Sequence, residues 1–280
     1  MAKIKQIENL DYYLQYWVGL MDGDGSIQVN HWRKKALQFR LVIKLKGDPL
    51  NVHLLKKMEE SVGGSVRKQE KSGFVFWVEN DRKRIEKMCE IFEKFPPLTT
   101  RLTCQLEFLW QCIRVYRDAD RKADCVAWYL ENRAQKYCSR LERRRALSLQ
   151  RLHQKTYFKG WLSGFIEAEG YFTLREASSK VISFSILQKG DQYLLSEIAL
   201  FFSITNKIRK VLLKKSKRAA LNTPVCYKDP QEEPLFLLEV AKKEILRKLV
   251  SHCTHFPLLG EKERSFRAFS RSIEKDGDIK

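Results

Sequence analysis

Alternation of apolar residues with mostly polar ones predicts two neighbouring strands, each with one buried face. From Leu37 to Leu45 every second residue is apolar, which is the period of a half-buried β-strand. In the preceding stretch, residues 26–32, Ile27 and Val29 are expected to face inward. The two stretches predict a first hairpin whose outward residues are mostly amides, hydroxyls and cations: Ser26, Gln28, Asn30, Trp32, Gln38, Arg40 and Lys44.

The order of predicted elements occurs twice along the chain. Three segments recur in the same order: YWVGLMDGDG (16–25) with GWLSGFIEAEG (160–170, one extra residue), LVIKLKGD (41–48) with FSILQKGD (184–191), and FPPLTTR (95–101) with FPLLGEK (256–262). Each copy is predicted to fold as α-β-β-α-β-β-α, so the fold class is α+β with two pseudo-symmetric halves, residues 1–114 and 155–280. The charged segment 115–154 lacks Gly and Pro and is predicted to be a helical linker.

Each repeated motif helix has small residues four positions apart, which places them on one helix face. These are Gly19 with Gly23 in the first copy and Gly164 with Ala168 in the second. If the helices pack through these faces, their C-terminal ends meet, and the acids that follow are brought side by side: Asp24 and Glu169. The glycine after each acid suits a left-handed helix cap.

Two carboxylates at the negative ends of two helix dipoles repel each other, so this arrangement favours a bound cation. Oxygen ligands without a His or Cys cluster indicate Mg²⁺ or Mn²⁺ rather than Zn²⁺. Such ions, about 3.5–4 Å apart, activate water and stabilise the leaving oxygen in phosphodiester hydrolysis. The alternative is that Asp24 and Glu169 are solvated or capping acids.

The charge balance indicates a polyanionic partner. The chain of 280 residues has 53 Lys and Arg against 34 Asp and Glu, a formal charge of +19. No run approaches the roughly 20 apolar residues of a membrane span, so no membrane partner is predicted and a soluble globular protein is expected. The seven scattered cysteines form no CxxC pair and are typical of a reducing compartment.

Outward side chains on a twisted ribbon can recognise base edges in the major groove, so the sheet faces are predicted to bind double-stranded DNA. An ordinary solvated sheet face is the alternative. Beyond the first hairpin, the predicted contacts are Arg67, Gln69, Trp77, Tyr171, Thr173, Arg175, Ser183, Ser185 and Arg209, with Leu187 also outward. The basic stretch 214–218 is either a phosphate contact or a solvated hairpin tip.

In these motifs the chain resembles the LAGLIDADG homing endonucleases, in the single-chain form with two motifs. The matching segments are Trp17–Gly25 and Leu162–Gly170, and the strand and FP segments also fall where that family has them. The resemblance covers nearly the whole chain. It implies αββαββα halves related by a pseudo-two-fold axis, motif helices packed at the centre, and saddle-shaped sheets over the DNA major groove.

The resemblance also implies roles for individual residues. The final acid of each motif binds metal in that family, which carries over to Asp24 and Glu169. The acids two positions earlier, Asp22 and Glu167, are expected to have structural roles at the helix ends. The backbone of the residues between these acids is expected to complete the metal site: Gly23 and Ala168.

Two further positions match the family pattern unequally in the two halves. A Gln near the water network matches Gln188, whereas the first copy has Leu45. The basic residue after the FP segment, which would stabilise phosphate charge or polarise water, matches Lys262 and Arg101. Because these positions differ, the two halves of the protein are expected to be unequal and to recognise an asymmetric DNA target.

The implied activity is that of a monomeric, sequence-specific endodeoxyribonuclease that cuts both strands across the minor groove and leaves short 3′ overhangs. Mg²⁺ is the implied cofactor and Mn²⁺ an alternative, and Ca²⁺ is expected to bind without supporting cleavage. Two other functions stay open: a maturase that binds its group I intron RNA, and an inactive DNA-binding protein with vestigial motifs. The family also suggests a mitochondrial or chloroplast intron as the coding location.

Overall fold

Two copies of one helix-and-sheet unit, joined by helices, make up the chain in the computed structural model. The structure describes residues 10–69, 72–120, 122–175, 181–211 and 233–275. The basic stretch 214–218 lies outside the described residues. No helix within the described ranges is both long enough and apolar enough to cross a lipid bilayer.

In its described residues, the N-terminal half has four helices and four strands. Their bounds are α1 Leu10–Gly23, β1 Gly25–Trp32, β2 Ala36–Lys46, α2 Pro49–Val62, β3 Ser65–Gln69, β4 Phe74–Glu79, α3 Arg82–Lys94 and α4 Thr100–Asp118. The strands form one antiparallel sheet in the order β1-β2-β4-β3.

The C-terminal half has the same order of elements. Its bounds are α7 Phe158–Glu169, β5 Gly170–Arg175, β6 Val181–Lys189, α8 Gln192–Phe202, β7 Arg209–Val211, β8 Leu235–Val240, α9 Lys243–His255 and α10 Lys262–Lys275. The sheet order β5-β6-β8-β7 repeats that of the first half. The predicted α+β fold with two related halves is confirmed.

Between the halves lie α5 (Lys122–Asn132) and α6 (Arg140–Ser148), each followed by a short 3-10 helix. Helix α5 packs on β2 and α4, whereas α6 contacts both α4 and α8 and so touches both halves. Helix α4 runs through residues 114 and 115, where the sequence places the start of the linker.

The predicted alternation describes the first hairpin correctly. Ile27 and Val29 are buried, and β1 pairs with β2 in antiparallel register. Because β1 is an edge strand, its second backbone edge needs partners from outside the sheet. Gln105 of α4 accepts a hydrogen bond from the Ile27 amide at 2.9 Å, and Tyr129 of α5 donates to the Val29 carbonyl at 2.8 Å.

The two motif helices, α1 and α7, pack directly against each other through the predicted small residues. A Cβ atom added at Gly19 would lie 1.9 Å from the Trp161 carbonyl oxygen, and one at Gly164 would lie 1.9 Å from the Tyr16 carbonyl oxygen. Both distances are far below van der Waals contact, so only glycine allows the two backbones to approach this closely.

Candidate metal centre and nucleic-acid interface

The packing of α1 and α7 brings their C-terminal ends together, as predicted. A Cβ atom at Gly23 would lie 2.1 Å from the Ala168 Cβ and 3.3 Å from the Glu169 Cγ. Asp24 follows Gly23 directly, and its amide donates to the Leu20 carbonyl at 2.9 Å, which continues the helical pattern. The acids at the two helix ends therefore belong to one local site.

The glycines after the two acids do not have the predicted left-handed conformation. Gly170 has φ −74° and ψ 148°, and Gly25 is not among the residues with positive φ. Close packing explains them instead, because a Cβ atom at Gly25 would lie 2.5 Å from the Met21 Cα. At Gly170 it would lie 2.8 Å from the Ile166 carbonyl oxygen. The chain turns from helix into strand where a side chain does not fit.

The C-terminal end of each motif helix is capped by the basic residue that follows the FP segment of the same half. In the first half, the Arg101 guanidinium donates to the carbonyls of Asp22 at 2.7 Å, Gly23 at 3.1 Å and Gly25 at 2.7 Å. Cations at this position satisfy carbonyls that have no helical partner and oppose the negative end of the helix dipole.

Lys262 has the equivalent role in the second half. Its Nζ donates to the carbonyls of Ile166 at 3.2 Å and Ala168 at 2.6 Å. Burial lowers the pKa of Lys262, although the carboxylates of Glu167, Asp24 and Glu169 favour its charged form. The two cations thus lie behind the acid pair, in contact with the backbone that carries it.

The protonation of the two acids reflects their shared surroundings. The pKa of Asp24 is raised to about 6, first because the helix junction removes water from part of the carboxylate and second because Glu169 repels its charge. Burial also raises the pKa of Glu169, and Lys262 and Arg101 oppose the shift in both acids. Asp24 nevertheless keeps an exposed side from which a ligand can reach it.

The acid two residues before each of these lies in a buried hydrogen-bond network. Asp22 accepts from the Leu98 amide at 2.8 Å, from the Thr99 hydroxyl at 2.5 Å and from the Trp161 indole at 2.7 Å. Burial raises its pKa to about 6, and these hydrogen bonds oppose the shift. Trp161 belongs to α7, so Asp22 also joins the two motif helices.

Glu167 repeats this arrangement in the second half. It accepts from the amides of Gly260 and Lys262, both at 3.1 Å, and from the Tyr16 hydroxyl of α1 at 2.9 Å. Each early acid therefore anchors the start of the segment that carries the capping cation. Neither has the free carboxylate oxygens of a metal ligand.

Two residues that sequence reasoning missed hold these same segments from the opposite half. Asp191, at the start of α8, accepts from the Thr100 amide at 2.8 Å and from the Thr100 hydroxyl. Asn51 of α2 accepts from the Glu261 amide at 2.9 Å. The only sequence signal was the Asp repeated at the end of LVIKLKGD and FSILQKGD, and that signal did not identify the partner across the halves.

Gln188 and Leu45 occupy equivalent registers, opposite Phe236 and Val75 respectively. Leu45 is buried and Gln188 is half-buried, so the polar group at this position is present in one half and replaced by an apolar one in the other. The predicted asymmetry around the acid pair is thus retained in the fold.

Outward side chains of the first sheet form cross-strand rows. Gln28 lies opposite Arg40 and Asn30 opposite Gln38, while Lys44 and Arg67 flank Phe76. Arg40, Gln38, Asn30, Trp32, Lys44, Arg67 and Gln69 are exposed, and Ser26 and Gln28 are half-buried. In the second sheet Tyr171 and Arg209 are exposed and Thr173 and Ser185 half-buried.

Two predicted contacts are wrong in their orientation or exposure. Trp77 is fully buried, because it pairs with inward-facing Ile43 and its indole donates to the Gly63 carbonyl at 2.7 Å. Ser183 has an outward register but is only 4% exposed, since its short side chain lies directly across from Thr173. The side chain of Arg175 is outside the described side chains.

The donor set fits a hard divalent cation. Asp24 and Glu169 supply carboxylate oxygens, and the neighbouring carbonyls of Gly23 and Ala168 each retain a second lone pair beside the bond from Arg101 or Lys262. Among the described residues no group of three or more His, Cys, Asp or Glu side chains could hold a metal. A site here therefore depends on two carboxylates, backbone oxygens, water and the ligand itself.

The fold and site together define a two-motif, pseudo-symmetric protein with a paired-acid centre between two polar sheet faces. The chain belongs to the LAGLIDADG endonuclease family, whose model matches residues 17–111 and 162–273. These ranges include the C-terminal parts of both motif helices, both sheets and both capping cations.

Curated relatives carry the name "Probable intron-encoded endonuclease aI3". The one from Dictyostelium citrinum is 41% identical over 91% of this chain and 93% of its own length. The one from Debaryomyces hansenii is 37% identical over 92% of this chain, which spans only 38% of that longer protein.

Solved structures share the fold at low sequence identity. The LAGLIDADG meganuclease I-AabMI bound to uncleaved DNA has a TM-score of 0.64 and 15% identity, with 94% of this chain and 91% of that chain covered. I-SmaMI, bound to an uncleaved DNA target in the presence of calcium ions, has a TM-score of 0.67 and 15% identity, with 95% and 92% covered.

Proposed function

We propose that this chain is an intron-encoded homing endonuclease that cuts both strands of a long asymmetric DNA site and leaves short 3′ overhangs. The observation that supports this most directly is that Asp24 and Glu169 lie together at the packed ends of two equivalent helices. Since both motif helices come from one chain and pack against each other, the enzyme acts as a monomer.

In this proposal Asp24 and Glu169 hold divalent metal, Mg²⁺ or Mn²⁺, together with the carbonyls of Gly23 and Ala168. The bound metal would supply Lewis acidity and a more acidic water. The raised pKa of both carboxylates supports this role, because a bound cation offsets the burial that disfavours their charged forms and, at Asp24, the repulsion from Glu169.

The remaining residues position the helix ends and neutralise phosphate charge. Arg101 and Lys262 hold the helix ends and add positive charge behind the acids, where phosphate charge would accumulate. Gln188 orders solvent in the second half. The exposed residues of the two sheets bind the major groove on either side of the cut, and the charge of +19 draws the chain to DNA.

The test uses purified protein and a library of candidate intron-insertion DNA, incubated with Mg²⁺, Ca²⁺ or EDTA, after which the new ends are sequenced. Mg²⁺ should give double-strand cuts with short 3′ overhangs, and Ca²⁺ should give binding alone. Asp24→Asn and Glu169→Gln should each slow cleavage about 100-fold or more while DNA binding is kept.

The matched control is Asp81→Asn, which changes an acid at the start of α3 where Asn is an equally good helix cap. It should cut DNA at the normal rate. Cleavage that survives Asp24→Asn would remove Asp24 from the metal site. Tight binding of a group I intron RNA without cleavage of any DNA would replace this proposal with maturase function.

A further inference from the structure

The outward face of the second sheet has exposed apolar side chains where the proposed DNA interface continues. Tyr171 is 66% exposed, Val181 40% and Leu187 39%. Their neighbours in the strands, such as Phe172 and Ile186, are buried against the helices, so alternation turns these three outward.

The equivalent face of the first sheet has a different chemistry at the same positions. The repeat aligns Lys44 with Leu187 and Gln38 with Val181. Lys44 and Gln38 can donate hydrogen bonds to base edges, whereas their counterparts cannot. At these positions the duplicated fold therefore has polar side chains in the first sheet and apolar ones in the second, while the exposed apolar residues of the first sheet, Trp32 and Phe74, lie elsewhere on its face.

A second pair of rows shows the same change. In the first sheet Gln28 lies opposite Arg40, and both are long enough for bidentate contacts to a base. The equivalent row of the second sheet pairs Thr173 with Ser183, whose hydroxyls are short. In this row, short hydroxyl side chains of the second sheet thus replace the long polar side chains of the first sheet.

The row nearest the acid pair carries the strongest contrast. Leu187 pairs with Leu237, and Leu237 with Arg209. The guanidinium of Arg209 is ion-paired with Glu239 on the neighbouring strand. In the described part of this row, Leu187 and an ion-paired Arg209 lie where the first sheet has Lys44 and Arg67. The residue between them is apolar in both sheets, Leu237 in one and Phe76 in the other.

The major groove has one apolar group that distinguishes base pairs, the C5-methyl of thymine, and the other edges present donors and acceptors. We propose that the C-terminal half recognises a thymine-rich half-site through these methyl groups, with Tyr171, Val181 and Leu187 as specificity-determining residues. The first sheet recognises polar purine edges in the other half-site. This inference rests on the proposed DNA-binding function.

The experiment first selects a cleaved site from a randomised duplex DNA library. The selected duplex is then made with deoxyuridine in place of thymidine in one half-site at a time, which removes the methyl groups and keeps base pairing. In the half-site under the second sheet, each contacted methyl should contribute about three- to fivefold in Kd, as expected for burial of one methylene-sized group. The same replacement in the other half-site should change Kd by less than about twofold.

Variants identify the residue that makes the contact. Leu187→Ser should remove the discrimination between thymidine and deoxyuridine at one position. Its matched control is Lys44→Ser at the equivalent position of the first sheet, which should weaken binding but keep that discrimination. Both side chains are exposed, and a thermal unfolding measurement would verify that both variants fold.

The outcomes separate this inference from the proposed function. Cleavage of a selected site that has no thymine preference under the second sheet, or that tolerates deoxyuridine throughout, would overturn the inference and leave the endonuclease intact. If no member of the library is bound or cut, the proposed function fails and the inference fails with it.

Discussion

At the scale of single residues, His252 shows how burial sets the acid tolerance of the C-terminal half. Its ring stacks on Phe256 at a centroid distance of 5.4 Å, and its Nε2 lies 3.2 Å from the Ser163 hydroxyl of α7. Burial lowers the pKa of His252 to about 3, and the positive charges of Lys159 and His255 act in the same direction.

A histidine whose folded pKa lies below its unfolded value contributes stability above the unfolded value, and this contribution is lost as the pH falls towards the folded value. Below the unfolded value of 6.5 the unfolded chain binds a proton that the folded chain excludes until about pH 3. We therefore expect His252 alone to reduce the free energy of unfolding by about 2 kcal/mol between pH 7 and pH 5.

Urea unfolding of the native chain, His252→Gln and His255→Gln at both pH values would check this expectation. His252→Gln should be less stable at pH 7, because packing is lost, but its stability should fall less on acidification. His255→Gln is the control, because it removes an exposed imidazole of the same helix and keeps the buried His252, so most of the acid-induced loss should persist. An equal loss in all three proteins would contradict the assignment.

Glycine positions show what can and cannot be predicted from local sequence. The spacing of Gly19, Gly164 and their partners indicated the helix contact correctly, because four-residue periodicity places small residues on one face. Gly25 and Gly170 were assigned a left-handed cap that neither adopts. Nothing in a sequence separates a glycine needed for its dihedral angles from one needed for close packing.

At the scale of elements, the turn between β1 and β2 holds two non-glycine residues in the left-handed region. Arg33 has φ 47° and Lys34 has φ 56°, and the Lys35 amide donates to the Trp32 carbonyl at 2.8 Å. Such turns favour Asn-Gly, and each L residue here costs about 1–2 kcal/mol. The Arg33 guanidinium lies 5.1 Å from the centroid of exposed Trp32.

We expect Arg33 and Lys34 to contact DNA in the proposed complex, so that relieving the strain of this turn also removes two phosphate contacts. The double variant Arg33→Asn with Lys34→Gly should raise the free energy of unfolding by about 1 kcal/mol, because both residues suit positive φ. It should also weaken DNA binding and lower the slope of log Kd against log salt concentration by about 1–2. Chemical denaturation and a salt titration of DNA affinity measure the two effects.

The control removes the same charge from the helical layer, with Lys83→Gln and Lys87→Gln on exposed positions of α3. It should leave both stability and the salt slope nearly unchanged. If the turn variant gained no stability, or bound DNA with the original salt slope, the turn would be neither strained nor part of the interface.

The strands also show where alternation fails as a guide. In β2 polar and apolar residues alternate, so the outward positions of Arg40 and Lys44 could be predicted. Strand β4 has apolar residues on both faces, with the sequence Phe-Val-Phe-Trp-Val-Glu. Because polar and apolar residues do not alternate there, the sequence does not indicate which face Trp77 lies on. Only its pairing with Ile43 decides that Trp77 faces the core.

At the scale of the whole molecule, the halves hold each other through the segments that carry the capping cations. Asp191 of the second half binds Thr100, the first residue of α4, and Arg144 of the linker lies 3.3 Å from Asp191. Arg101, the next residue of α4, caps the helix that presents Asp24. The linker and the second half thus support the acid of the first half.

This network lay beyond sequence reasoning for a physical reason. Asp24 and Glu169 could be paired because the repeat makes them equivalent, and the small residues on the two motif helices predict that their C-terminal ends meet. Asp191 and Thr100 are not equivalent residues, and no periodicity relates them. Their contact depends on how the two halves dock, which only the assembled structure supplies.

The repeat provides a matched pair to test this network, since Asp48 is equivalent to Asp191. Asp48 accepts from the Leu50 amide at 2.9 Å as a helix cap and contacts the second half through an ion pair with exposed Arg264 at 3.4 Å, which contributes little to stability. Asp191, by contrast, is fully buried beside Arg144. Asp191→Asn should lower the free energy of unfolding by about 2–4 kcal/mol, because it leaves Arg144 with one fewer buried acid. Asp48→Asn should change it by less than about 0.5 kcal/mol, because Asn caps as well as Asp.

The same pair tests whether the contact between the halves supports cleavage. Because Asp191 holds the start of α4 and thereby Arg101, Asp191→Asn should slow nicking of one strand more than the other and shift the ratio of the two rates about tenfold or more. Asp48→Asn should leave the ratio unchanged. Strand-specific labelling of a selected DNA site, at a temperature where both variants are folded, measures it. Equal slowing of both strands would mean that Asp191 contributes to stability alone.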